Sequence, residues 1–212
     1  MSDVIYISNA ILSFHHLVEP QKRIDSKGNE RISYNCDLLF SPEDPAFAAF
    51  MKKYGEMALA QWKEHAGSIM QIIQNDRKLR CYGRGEEKVS QTTFAVHDGY
   101  AGRVYLTAGK PVNPPQIIQA DGKAVDPSNT LAYQALARKM YRGCYVNAAV
   151  KPWLQKNENG RGIRCDLIAI QFVKDGTPLG DSSIDVSSMF GAVTPPAAPT
   201  VNTIPGLPPF ML

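Results

Sequence analysis

The segment from Gly143 to Gly176, GCYVNAAVKPWLQKNENGRGIRCDLIAIQFVKDG, leaves the chain few choices. Two apolar runs flank a polar stretch, Gln155 to Gly162, that contains Asn157, Asn159 and Gly160. Val146, Ala148 and Val150 alternate on one run, and Leu167 and Ala169 on the other. Alternation on both sides of turn-forming residues predicts a half-buried β-hairpin. With the tip near Asn159, facing residue numbers sum to about 317. Cys144, Val146, Ala148, Val150 and Pro152 then share a face with Val173, Gln171, Ala169, Leu167 and Cys165, and this nearly apolar face is expected to look into a core. The opposite face sets Tyr145, Asn147, Lys151 and Trp153 against Phe172, Ile170, Asp166 and Arg164. Rings beside cations are unusual for a face that meets only water. A slip of one residue exchanges partners across every pair.

At 212 residues the chain can bury a full core, and one domain is expected. No apolar run reaches about 18 residues, so no membrane-spanning helix is predicted. The start, MSDVIYISNAIL, has neither a basic leader nor a small-residue cleavage site, so secretion is not expected. Net charge is +3, unevenly placed. Residues 1–180 carry 23 Lys and Arg against 18 Asp and Glu, and only Asp181 and Asp185 are charged beyond them. That mild basic bias permits a polyanionic partner without demanding one. The four cysteines, Cys36, Cys81, Cys144 and Cys165, form no C-x-x-C pair. They read as free, mostly buried thiols in a reducing cytoplasm.

Along the chain, residues 4–18 predict a bent first strand with an irregularity near Ser8-Asn9. Pro20 to Arg31 predicts a polar hairpin loop with Lys27-Gly28-Asn29 at its turn, and Ile32 to Phe40 the returning strand. Asp44-Pro45 is a helix start signal. Phe47, Phe50, Met51, Tyr54, Met57, Ala58 and Trp62 then make one apolar stripe. Gly67-Ser68 is expected to break it, with Ile69, Ile72 and Ile73 in a shorter second helix. Thr92–Val96 and Arg103–Thr107 read as short strands around His97-Asp98-Gly99, Gln116–Ala120 as another, and Asn129–Met140 as a short helix. From Thr194 the sequence is proline-rich and uncharged, and predicts an extended tail.

A reaction centre is not legible. No nucleophile–base motif or metal-ligand spacing occurs, and Gly109-Lys110 has Pro111 where a phosphate loop needs Ser or Thr. No cofactor, metal or catalytic residue is therefore expected, and the chain reads as a binding protein rather than an enzyme.

The hairpin motifs G-C-Y-V-N and G-x-R-C-D-L-x-A-I-Q-F-V-K-D-G resemble the C-terminal strands of phage-encoded single-stranded DNA-binding proteins. Tyr34 to Phe40 followed by Pro42-Glu43-Asp44-Pro45 is similar to that family's strand-to-helix crossing. Lys110-Pro111, Pro115-Gln116-Ile117 and Asp121-Gly122 resemble its central strands, and Ser187-Ser188-Met189-Phe190 the end of its core. The resemblance covers roughly residues 4–191. It implies a mainly β, α+β fold: an OB-fold Greek-key barrel over 1–191 with a helical insertion at about 44–79, and a flexible Pro-rich tail over 192–212. It also implies sequence-independent binding of single-stranded DNA in phage replication and recombination, in the cytoplasm of the bacterial host, often as a homodimer. Family tails are commonly acidic and contact replication or recombination proteins. Here the tail is nearly uncharged, and Leu207, Phe210, Met211 and Leu212 are its candidate docking residues.

Binding a single strand needs rings for bases and cations for phosphates. Tyr145 and Trp153 are the candidate stacking residues, with Tyr82 and Tyr105 further out. Lys151, Arg164, Arg80, Arg84, Arg103, Lys22 and Arg23 are the candidate phosphate contacts. Competing readings place Tyr145 in a dimer interface or under a helix, and Trp153 over Arg164 in a local cation–π pair. A phage structural or scaffold protein, or an accessory subunit of a nucleic-acid enzyme, are the alternative functions.

Overall fold

The computed structural model describes residues 3–24, 28–126, 128–157 and 160–180. The long first strand, β1 (Ile5–Ile24), pairs antiparallel with β2 (Glu30–Phe40) on one side and with β6 (Tyr145–Asn157) on the other. β2 continues to β4 (Val104–Pro111), and β6 to β7 (Gly160–Lys174). A parallel contact, Gly109 opposite Asp166, joins β4 to β7. The order β4-β2-β1-β6-β7 thus closes on itself as the five-stranded Greek-key barrel of an OB-fold. Two short strands flank it: β3 (Tyr82–Arg84) beside β4, and β5 (Gln116–Ile118) parallel to β7.

One strand serves two neighbours because it bends. The register of β1 against β6 shifts between Ile7 and Ala10, where Asn9 takes φ 60°. This is the irregularity expected at Ser8-Asn9, and asparagine is among the few residues that accept this conformation readily. Beyond Val18 the strand runs further than its sequence suggests. Gln21, Lys22, Arg23 and Ile24 pair with Ser33, Ile32, Arg31 and Glu30. The segment expected as a loop over Pro20–Arg31 is therefore mostly a two-stranded ribbon. Its polar composition reflects exposure along most of its length, not absence of structure.

The β6/β7 hairpin keeps the expected register from its tip as far as Val150 opposite Leu167. There the register shifts, with Ile168 left between Leu167 and Ala169. Val146 consequently faces Phe172 and Ala148 faces Ile170, not Gln171 and Ala169 as the uninterrupted register predicts. The shift has a packing cause. Leu167 and Ile170 are both fully buried, and three residues apart they can share a face only across a bulge. Gln171 moves outward and accepts a hydrogen bond from Asn147 Nδ2 at 2.9 Å.

The insertion between β2 and β3 is helical. α1 (Pro45–Trp62) starts where Asp44 Oδ1 accepts a bond from the Ala46 N–H at 2.8 Å. Phe50, Tyr54, Ala58 and Trp62 form its buried stripe. The break falls at Lys63–His65, where Lys63 takes φ 49°, and not at Gly67-Ser68, which lie inside α2 (Ala66–Asn75). α3 (Thr130–Ala137) is capped by Asn129 and lies against β1 and β5. Residues 92–96 form no strand. Ser90 Oγ accepts from the N–H groups of Thr92 and Thr93, and Phe94 takes φ 55°, so the chain turns; a single bridge joins Val89 to Val96.

Ile7, Leu12, Leu38, Phe50, Ile73, Leu106, Val146 and Leu167 belong to one core shared by barrel and helices. Each such side chain contributes about 1.5–3 kcal/mol on burial. All four cysteines are free and buried. Burial pushes the Cys144 thiol up to about 11 and Cys81 to about 12, so none is poised as a nucleophile. The expected core end at Ser187–Phe190 and the tail residues Leu207, Phe210, Met211 and Leu212 lie outside the described residues.

Candidate nucleic-acid interface

An open groove of about 1000 Å³ crosses the barrel where β4 meets β7. Its floor is built by β2 and β4. Ser33 and Asn35 contribute from β2, and Tyr105, Thr107 and Gly109 from β4, at the every-second-residue spacing that puts strand side chains on one face. Arg23 enters from the β1/β2 ribbon. Trp153 and Arg164 rise from the β6/β7 hairpin, and Arg77, Lys78 and Arg80 from the segment after α2. With Lys88 and Lys110, seven cationic side chains line the groove against two aspartates, Asp76 and Asp166. In an OB-fold the face of the second and third barrel strands is where oligonucleotides and oligosaccharides lie.

Seven hydrogen bonds set the geometry of the groove walls. Trp153 is 38% exposed, and its Nε1–H donates to Asp166 Oδ1 at 2.7 Å. That bond fixes the ring beside the groove with part of its surface open. Arg164 does not stack on it. Its guanidinium donates to Gln155 Oε1 and to the Lys78 carbonyl, each at 2.8 Å. Burial lowers its pKa from the ordinary arginine value. The Lys78–Cys81 segment is further tied down by Ile163 N–H to Leu79 O at 2.8 Å and Thr107 N–H to Cys81 O at 2.7 Å. Arg80, its side chain only 5% exposed, is held by Glu87 at 2.8 Å and by the Tyr82 carbonyl.

A family model described as the ssDNA-binding protein of Enterobacter phage Enc34 matches residues 3–196. The chain belongs to this family. A second relative is protein p50 of Acyrthosiphon pisum secondary endosymbiont phage 1, 28% identical over 174 residues that make up 81% of this chain and 84% of that protein. Among solved structures, the Enc34 single-stranded DNA-binding protein in complex with ssDNA superposes with a TM-score of 0.62 at 19% identity, covering 84% of this chain and 90% of that one. The single-stranded DNA-binding protein gp2.5 of bacteriophage T7 reaches 0.50 at 12% identity, covering 83% and 94%. At these identities the structural likeness establishes the shared fold.

Within this Enc34-family barrel the residues singled out from sequence separate into three groups. Trp153, Arg164, Arg80, Arg23 and Tyr105 line the groove. Tyr105 does so from below, buried, with Lys88 Nζ 4.4 Å from its ring centroid. Lys151, Lys22 and Arg84 are exposed but outside the groove lining; Lys22 is paired with Glu30 at 3.4 Å. Tyr82, Tyr145 and Arg103 are placed elsewhere. Tyr82 is 4% exposed, enclosed by Phe47, Phe50 and Tyr54, with its hydroxyl on Gln74 Oε1. It is a core residue, and no base can reach its face. Tyr145 stands eight residues from Trp153 on β6, roughly 26 Å along the strand, with Lys174 over its ring at 4.7 Å. Arg103 is turned to the Gly99 carbonyl at 2.6 Å.

Sequence reasoning did not single out Arg77, Lys78, Lys88 or Lys110, which also line the groove. Arg77 and Lys78 carry a usable signal, since they follow directly on the C-terminus of an amphipathic helix next to a strand. Lys88 carries none, because it comes from an irregular loop.

Proposed function

We propose that this chain binds single-stranded DNA without sequence preference, in the groove over β2 and β4, during phage DNA replication and recombination. The observation that carries the reading is seven Lys and Arg converging, from five separate segments, on the binding face of an OB barrel that also presents Trp153. Cations track the backbone and the ring accepts an unstacked base. With Tyr145 and Tyr82 elsewhere, the balance shifts from stacking toward charge. Family membership and the barrel shared with the ssDNA-bound Enc34 protein support the same reading. It is the reading of a binding protein, not an enzyme, working in the cytoplasm of the bacterial host. Among the described residues no helix is long and apolar enough to cross a membrane.

A fluorescence-polarisation titration with ssDNA, dsDNA and ssRNA, with and without magnesium, tests it. The expected result is ssDNA binding without turnover, weakening linearly on a log–log salt plot by about 0.7 per phosphate contact. A flat salt response overturns the groove. Metal-dependent turnover would transfer the chain to the nucleic-acid enzymes. Absence of ssDNA affinity with copurification on particles would make it a virion protein. A homodimer and a docking role for the tail around Phe210 belong to the same proposal; sedimentation velocity and pull-down with a chain ending at residue 191 test them.

A further inference from the structure

Asp37 is the only carboxylate buried outright among the described residues, at 3% exposed. A carboxylate removed from water is costly unless its oxygens are hydrogen-bonded and its charge paired. Here both conditions are met by groups from three parts of the chain. Oδ2 accepts from Lys88 Nζ at 2.8 Å and from the Tyr100 hydroxyl at 2.6 Å, and Oδ1 accepts from Thr107 Oγ1 at 2.5 Å. Tyr100 is fully buried and reaches no part of the groove. Lys88, by contrast, lines the groove, with a quarter of its side chain open to solvent. Its ammonium is fixed from two sides, by Asp37 and by the Tyr105 ring.

We propose that Asp37 is a positioning residue for single-stranded DNA: it holds the Lys88 ammonium at the groove floor, where that ammonium meets a backbone phosphate, and Tyr100 holds Asp37. The inference rests on the reading of the groove given above. Its physical basis is rotamer freedom. A lysine on a four-carbon stem loses that freedom when it engages a phosphate. A lysine already held by a buried carboxylate has lost it during folding. Charge counting alone predicts the opposite sign: removing an anion from a DNA-binding groove should tighten binding.

The test compares oligo-dT affinity and its log–log salt slope for the full chain, the single variants Lys88→Gln, Asp37→Asn and Tyr100→Phe, and the double variant Asp37→Asn with Lys88→Gln. Lys88→Gln is expected to weaken binding roughly three- to tenfold at low salt and to reduce the slope by about 0.7, the share of one phosphate contact. Asp37→Asn is expected to weaken binding although it deletes a negative charge. Combined with Lys88→Gln it should add nothing further, because one acts through the other. Tyr100→Phe should move affinity and slope in the same direction by less. A slope is a readout that loss of fold stability does not shift while the protein remains folded. Tighter or unchanged binding by Asp37→Asn overturns the proposal. If that variant fails to fold, an unchanged slope in either Lys88→Gln or Tyr100→Phe overturns it instead. A wild-type chain without ssDNA affinity removes the groove reading itself, whereas wild-type binding with unaltered variants removes only the role of Asp37.

Discussion

Among the described residues Trp153 is the one exposed ring that lines the groove, so the proposed reading concentrates stacking in it. Trp153→Ala should weaken oligo-dT binding by about 1–3 kcal/mol. Its melting temperature should change little, since what is lost is a half-open ring and one exposed hydrogen bond to Asp166; an affinity equal to wild type removes Trp153 from the site. Tyr82 behaves in the opposite way. Truncation to alanine should cost about 3–5 kcal/mol of stability, as for other large core rings, as read by chemical unfolding. The sequence shows both as aromatic residues near cations. What separates them is burial, decided by whether α1 happens to lie over the ring. Tyr54 makes a third case: its hydroxyl is buried without a hydrogen-bond partner among the described residues. Tyr54→Phe should leave the melting temperature equal or higher, because an unsatisfied polar atom is removed. Titration adds a pH effect. Burial, then His16 and Arg142, lower the pKa of His15 from its ordinary 6.5. The fold thus prefers neutral His15, and its full contribution holds above about pH 6.5. Below that the unfolded chain takes up the proton first and stability falls. The drop in melting temperature between about pH 7.5 and 5.5 should shrink in His15→Gln.

Elements differ in how openly their sequence declares them. α1 is announced by Asp44-Pro45 and a regular stripe; it starts where read and ends at Trp62, before the expected break at Gly67-Ser68. The hairpin is announced by its alternation, and its register holds until the bulge at Ile168, which no local residue signals because it answers a packing demand from the whole barrel. The ribbon at Pro20–Arg31 is hidden for a related reason: a strand that leaves the barrel loses its apolar face and reads as a loop. The segment Asp76–Cys81 shows how elements cooperate in the site. It has no regular structure, yet backbone and side-chain bonds from β7 hold it at Lys78 and Leu79. Gly162 permits this close approach, since a Cβ there would stand 2.6 Å from the Leu79 carbonyl oxygen. Gly162→Ala should therefore push away the segment that carries Arg77 and Lys78. A loss of about 1–3 kcal/mol in stability, together with a smaller salt slope for ssDNA, is the expected result; a wild-type slope would detach this segment from binding.

At the scale of the whole molecule, the fold class was readable and the groove only in part: Arg23, Arg80, Tyr105, Trp153 and Arg164 were singled out, Arg77, Lys78, Lys88 and Lys110 were not. Strand alternation and helix signals are local, but the groove draws Arg23, Arg77, Lys88, Lys110 and Arg164 from positions up to 141 residues apart. A surplus of five positive charges over residues 1–180 looks unremarkable until folding gathers seven cations along one face. The groove also straddles the junction of β4 and β7, where a single register pair, Gly109 with Asp166, completes the cylinder. With so little backbone pairing, this junction is expected to open locally before the rest of the barrel. A polynucleotide lying across it acts as a stitch, resisting any opening that would separate the two rims. Amide exchange near Gly109 and Asp166 should then slow when oligo-dT is bound, by up to the roughly 2.7 kcal/mol available at a hundredfold excess of ligand over Kd, while amides on the far side of the barrel, limited by global unfolding, gain no more than that.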